Sequence, residues 1–137
     1  MDTSVWSLAL RRREPEETPP VLELRELILE GRAQLIGSVR QEVLSGIRHS
    51  AQYQRLRASL RAFPDLDVVS EDHERAAGLF NLCRRHGIQG SNTDFLICAV
   101  ADRRRMSVFT TDLDFSLFGE HIPLRLHRPR QDFDSSQ

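Results

Sequence analysis

The stretch Ser91–Asp112, SNTDFLICAVADRRRMSVFTTD, decides the fold. Ser91 or Asn92 opens a helix that runs to about Arg105, and Asp94 stands three residues after Ser91, the spacing of a capping box. Ser107 to Thr110 then reads as a strand, and Asp112 follows directly past its end. A helix leading into a strand that ends on an acid is the repeating unit of an α/β domain with a mostly parallel sheet.

Outward from that unit the chain keeps alternating. Towards the C-terminus, a short helix over about Phe115 to Leu117 and a strand from Ile122 to Leu126 are expected. Towards the N-terminus, Glu71 to His86 reads as a long helix with Ala76, Leu79, Phe80 and Cys83 on one face, capped by Gly87. A strand is expected over Leu66 to Val69, and a helix over about Ser50 to Ala62, ended by Pro64. Leu35 to Gly37 reads as a short strand. Ser38 and Gln41 have capping-box spacing for a helix that ends near Gly46. Further back come a helix over Val21 to Glu30, a charged proline-rich connector from Glu14 to Pro20, and a helix over Thr3 to about Arg12. Met1 and Asp2 read as the end of a first strand, giving about five strands in all.

The 137 residues suggest one domain, over residues 1–130, with a polar tail over 131–137. No apolar stretch approaches the ~20 residues of a membrane span and no signal peptide opens the chain, so a cytoplasmic protein without a membrane contact is expected. Cys83 and Cys98 fall inside helices without a CxxC or Cys/His cluster and read as reduced core thiols. All 19 basic residues are arginine, against 20 acids. The lack of lysine excludes Schiff-base chemistry, P-loop phosphate binding and lysine-assisted phosphoacceptors.

Asp2, Glu42, Asp94 and Asp112, with Asp114 two residues on, all fall where an open parallel sheet binds ligands, outside the carboxyl ends of its strands or at the helix starts facing that edge. Each also has a structural reading: Asp2 and Asp112 or Asp114 as caps, Glu42 on a solvated helix face, Asp94 in its capping box. As a set they would repel one another unless a cation sat among them. An all-oxygen donor set suits Mg²⁺ or Mn²⁺, and the five histidines show no zinc spacing. A cation so held suits phosphodiester chemistry. Arg11 to Arg13, Arg40 and Arg103 to Arg105 are candidates for holding the flanking phosphates.

Four segments now resemble a known family. Asp2-Thr3-Ser4-Val5-Trp6 is similar to the opening motif of PIN domains, specifically of VapC-type toxin ribonucleases. Arg40-Gln41-Glu42-Val43-Leu44-Ser45-Gly46 resembles the second motif, Gly90-Ser91-Asn92-Thr93-Asp94-Phe95-Leu96-Ile97 the third, and Thr110-Thr111-Asp112-Leu113-Asp114-Phe115 the fourth. The resemblance implies Asp2, Glu42, Asp94 and Asp112 as a catalytic, metal-binding quartet. It implies Asp114 as an accessory metal carboxylate, and Thr110 and Ser4 as residues that orient the acids. It further implies a three-layer α/β/α sandwich, a homodimer, Mg²⁺- or Mn²⁺-dependent cleavage of RNA, and neutralisation by a VapB-type antitoxin. One departure is that only Met1 precedes Asp2, where the family has several apolar residues.

Two other readings compete. Receiver domains and haloacid-dehalogenase-like phosphatases also gather acids at strand ends, but both use a lysine, and the phosphatase motif wants an acid where Ser4 stands. The remaining alternative is a catalytically weak or inactive PIN-like module that binds RNA or a partner.

Overall fold

The computed structural model describes residues 30–61, 63–110 and 112–127, and the backbone of 4–6. Three short strands, β1 (Ser4–Trp6), β2 (Ala33–Gln34) and β3 (Ser107–Phe109), form a parallel sheet in the order β2-β1-β3. Ser4 pairs with both Ala33 and Ser107, and Val5 with both Gln34 and Val108, so β1 is central. A single parallel bridge flanks the sheet on each side, Leu35 to Asp65 and Val108 to Leu126. The described helices are α1 (Gly37–Leu44), α2 (Ser50–Leu60), α3 (Ser70–Arg85), α4 (Asn92–Arg103) and α5 (Asp114–Phe118).

The α/β alternation expected from sequence is present, with four corrections. Ser4–Trp6 is strand, not helix. Val5 and Trp6 are strand formers by type, and here they fill the central position. Strand 2 lies two residues earlier than expected, and Gly37 already belongs to α1. The expected Ser38 cap is not made: Ile36, in extended conformation, is the N-cap, and its carbonyl accepts from the Val39 and Arg40 N–H groups at 3.0 and 3.2 Å. The expected strand at 66–69 does not form, with a single bridge at Asp65 just before it, and the one at 122–126 shrinks to a bridge at Leu126.

That shrinkage has a local cause. The Leu66 N–H donates to the Leu35 carbonyl, but the backbone beyond it is engaged by side chains. Asp72 accepts from the Val69 N–H at 3.0 Å, and Arg103 donates to the Asp67 carbonyl at 2.9 Å. In the other run Pro123 lacks a donor for a ladder.

α4 is the element around which the rest packs. Its residues Phe95 to Ala101 are all buried, so it has no solvent face over two turns. α3 lies along it and buries Ala76, Leu79 and Cys83 against it, while Phe80 is partly exposed. Both cysteines are free, buried thiols, as the sequence indicated, and burial pushes both pKa values up. α3 and α4 end in the same way. After α3, the Ile88 N–H returns to the Cys83 carbonyl at 2.9 Å around Gly87, which has φ +77°. After α4, the Met106 N–H returns to the Ala101 carbonyl at 2.7 Å around Arg105, which has φ +59°. Both are Schellman closures, and a side chain at the left-handed position costs about 1 kcal/mol relative to glycine. This closure ends α4 two residues earlier than expected.

The far end of α4 is tied to the start of α3. Asp72, 2% exposed, accepts from the Val69 N–H and from Arg103 Nε at 2.8 Å. Burial raises the Asp72 pKa, but the Arg103 hydrogen bond, the Val69 N–H and the nearby positive charge outweigh it, and the net shift is downward. A lowered carboxylate pKa gives stability that is fully present above the unfolded value, about 3.9, and is lost as pH falls through the folded value. Asp72→Ala should therefore cost about 2–3 kcal/mol at pH 7. The gap to wild type should close below about pH 4 in urea titrations; a gap that persists there would sink this account.

Candidate active site at the carboxyl edge

In a parallel sheet, the helix that feeds a strand starts at that strand's carboxyl edge. α4 therefore begins where β3 ends, and this brings Asp94 and Asp112 to one place. Asp94 is fixed by the capping box seen in the sequence: its N–H donates to Ser91 Oγ at 3.0 Å, and its Oδ2 accepts from the Ser91 N–H at 3.1 Å. Asp112 is fixed by its own turn. Its N–H donates to Thr110 Oγ1 at 3.0 Å, and its Oδ1 accepts from the Asp114 N–H at 2.9 Å. Thr110 thus holds the backbone of Asp112 at the start of the turn.

The charges of these acids act on one another. The Asp94 pKa is raised, first by burial and then by the negative charges of Asp112 and Asp114, against the lowering effect of Ser91. Asp94 and Asp112 are half-buried and Asp114 is exposed. One turn beneath Asp94, Cys98 is fully buried, with its thiol pKa pushed up by burial, by Asp94 and by Cys83, so it has no nucleophilic role.

The other expected site residues stand differently. Glu42 is half-buried on α1, which starts at the carboxyl end of β2. Asp2 and Arg11 to Arg13 lie outside the described residues, as does the side chain of Ser4. Among the described residues, no three acidic, histidine or cysteine side chains close around one point. The donor chemistry still fits a hard cation, since Asp94, Asp112 and Asp114 offer only oxygens and carry a mutual repulsion that a cation would relieve.

Two arginines proposed as phosphate holders have structural work instead. Arg40 donates to Asp65 Oδ1 at 2.8 Å, to the Leu60 carbonyl at 2.9 Å and to the Phe63 carbonyl, so it fastens α1 to the end of α2. Arg103 is taken by Asp72 and Asp67. Arg103 to Arg105 also sit at the opposite end of α4 from Asp94, nine to eleven residues away in sequence, or roughly 14–16 Å along the helix.

Sequence reasoning missed two features. The first is a cavity of about 390 Å³ between α1, α3 and α4, lined by Ser38, His73, Ala76, Asn92, Thr93 and Leu96 among others. Its signals were the positions of Ser38, one turn before Glu42, and of Asn92-Thr93, directly before Asp94. The second is Gly90. A Cβ there would lie 2.6 Å from Phe118 Cζ and 2.9 Å from Phe95 Cε2. The Phe95 and Phe118 rings are 4.7 Å apart, and Phe115 meets Phe118 at 5.1 Å. This aromatic cluster seats α5 on α4, and so sets Asp112 and Asp114 against Asp94.

A model of the PIN domain family matches residues 1–120. Among solved structures, the chain is similar to FitAcB from Neisseria gonorrhoeae, with a TM-score of 0.71 and 18% identity over 93% of this chain and 98% of that one. It is similar to VapBC2 from Rickettsia felis bound to a DNA fragment from their promoter, with a TM-score of 0.68 and 16% identity over 91% and 97%. It is also similar to a toxin-antitoxin complex from Klebsiella pneumoniae, with a TM-score of 0.56 and 19% identity over 83% and 91%. No curated protein matches the sequence.

Two outcomes follow from the geometry. Asp94→Asn keeps an oxygen for the Ser91 N–H and removes one repelling charge, so it should melt higher than wild type in EDTA. An unchanged or lower melting temperature would mean that Asp94 carries no such repulsion. Gly90→Ala should cost about 1–3 kcal/mol by overpacking the Phe95–Phe118 contact, read by urea denaturation.

Proposed function

The chain belongs to the PIN domain family, and from that premise we propose that it is a divalent-metal-dependent endoribonuclease of the VapC type, neutralised by a VapB-type antitoxin. The observation that carries this reading is the mutual charge of Asp94, Asp112 and Asp114 at one sheet edge. The acids proposed to hold Mg²⁺, with Mn²⁺ as the alternative, are Asp2, Glu42, Asp94 and Asp112, with Asp114 as an accessory. Asp2 and Glu42 enter on their sequence motifs. The similar structures include a toxin–antitoxin complex, which supports an antitoxin partner. RNA as substrate and a homodimer rest on the family resemblance.

The proposed architecture is a three-layer α/β/α sandwich with about five strands. The bridges at Asp65 and Leu126, one on each side of the three-stranded sheet, support it. The proposed domain covers residues 1–130, with a polar tail over 131–137, and the family match over 1–120 agrees with one domain. No helix among the described residues is long and apolar enough to cross a membrane, and a cytoplasmic location is proposed.

A divalent cation held by these acids supplies Lewis acidity towards a phosphate and lowers the pKa of water. The chain's own part is placement. Ser91 holds the Asp94 carboxylate through its N–H, and Thr110 and the Asp114 N–H hold Asp112. The cavity beside Asp94 leaves room for a nucleotide next to the acids: its floor is apolar at Ala76 and Leu96, and Asn92, Thr93 and Ser38 offer hydrogen bonds to an unstacked base.

The alternative, a weak or inactive PIN-like binding module, is favoured by one observation: no three metal-ligating side chains converge among the described residues. A single pair of measurements separates the two. Wild type with Mg²⁺ or Mn²⁺ should cleave members of a panel of structured RNAs and stop in EDTA. Asp94→Asn and Asp112→Asn should each lose about a thousandfold in rate, the equivalent of roughly 4 kcal/mol. In thermal melts, cation at ~100 times its dissociation constant should add about 2.7 kcal/mol to wild type and much less to Asp112→Asn. RNA binding without cleavage, and without a metal-dependent shift, would establish the binding module instead.

A further inference from the structure

At the opposite end of α4 from the acids lies a cleft of about 290 Å³. It is formed by the last turn of α4 and the segment that enters the bridge at Leu126, and Ala101, Met106 and Leu124 give it an apolar floor. Arg105 and Arg125 line it, both exposed. Its one acid, Asp102, is paired with Arg75 at 2.5 Å, so the two guanidinium groups set the charge of the cleft. Among the described residues, neither Arg105 nor Arg125 has a carboxylate partner. The Arg125 side chain donates to the Arg105 carbonyl at 2.6 Å, which holds the two residues side by side.

The backbone at Arg105 points the same way. It occupies the left-handed position of a Schellman closure at φ +59°, the place that Gly87 fills after α3 at φ +77°. Glycine would relieve that conformation, so the arginine here is kept at a local backbone cost. A cleft with an apolar floor and two exposed arginines on its rim suits phosphates, since a guanidinium can donate in a bidentate fashion to an oxyanion.

We infer that this cleft is a second RNA site, in which Arg105 and Arg125 hold backbone phosphates of the strand whose scissile bond lies at the acids. The inference rests on the ribonuclease reading for the identity of the strand. Asp94 lies in the first turn of α4 and Arg105 stands two residues past its end, so the two are roughly 16 Å apart along the helix axis. At about 3.4 Å per residue of a stacked strand, an RNA needs at least about five nucleotides beyond the cut to reach the cleft. Short substrates reach one site at a time, and longer ones meet both at once.

The test is fluorescence anisotropy with a labelled single-stranded 20-mer and a 4-mer, on wild type, Arg105→Gly and Arg125→Gln, in EDTA so that no strand is cut. Each substitution removes one phosphate contact, so affinity for the 20-mer should fall about fivefold at 0.1 M salt, and the slope of log affinity against log salt should shrink by about 0.7. The 4-mer, too short to span both sites, should bind wild type more weakly than the 20-mer does. Arg105→Gly should at the same time melt higher than wild type, which separates lost binding from lost folding. Unchanged 20-mer affinity and slope in both variants overturns the inference. Cleavage of both RNAs with Mn²⁺, measured in parallel, reports the ribonuclease reading separately. Cleavage with no arginine effect removes the cleft and leaves the nuclease. An arginine effect without cleavage leaves the cleft and removes the nuclease. If wild type neither binds nor cuts RNA, both fall.

Discussion

The tilted packing of Phe118 on Phe95, made possible by the missing side chain at Gly90, is the contact on which the candidate site depends. α5 is only five residues long and has little to hold it besides Phe115 and Phe118, both fully buried. Those two rings place the turn that carries Asp112 and Asp114 beside the first turn of α4. Without them, Asp94 would keep its capping box but lose the acids whose charge it meets. The strength of the site is thus set by aromatic packing below it, as well as by the carboxylates themselves.

Four of the described arginines show two kinds of use. Arg40 and Arg103 each satisfy a carboxylate and at least one backbone carbonyl, and each closes a joint: α1 to the end of α2, and α4 to the start of α3. The planar fork of the guanidinium suits that work, because one group reaches several acceptors at fixed angles. Arg105 and Arg125 are of the other kind, exposed and facing a cleft. In a chain without lysine, a single residue type serves both as structural clamp and as surface charge, and only tertiary context tells them apart.

That division marks the limit of what could be read from residue order. Local signals were legible: the Ser91–Asp94 box, the Gly87 closure and the helical faces of α3 all appear where the sequence put them. The strand at Ser4–Trp6 was misread because its apolar run continues to Leu10 and fits a helical face as well as a strand. Ser38 was misread because the extended Ile36 takes the cap position two residues earlier. The roles of Arg40 and Arg103 were out of reach, because their carboxylate partners, Asp65 and Asp72, lie 25 and 31 residues away in sequence. The alignment of Asp94 with Asp112 and Asp114 was legible because β3 and α5 follow α4 directly, so topology alone brings them together. The place of Glu42 depends on how α1 is oriented, which no local signal encodes.

A helix with no solvent face over seven residues has a consequence for motion. Its amide protons can exchange with water only when the whole domain opens, so α4 belongs to the most slowly exchanging part of the chain. The turn at Leu113, whose side chain is 82% exposed, has no such protection. Any breathing at the carboxyl edge is therefore one-sided. The gap between Asp94 and the Asp112–Asp114 turn is governed by one short segment, anchored through Phe115 and Phe118.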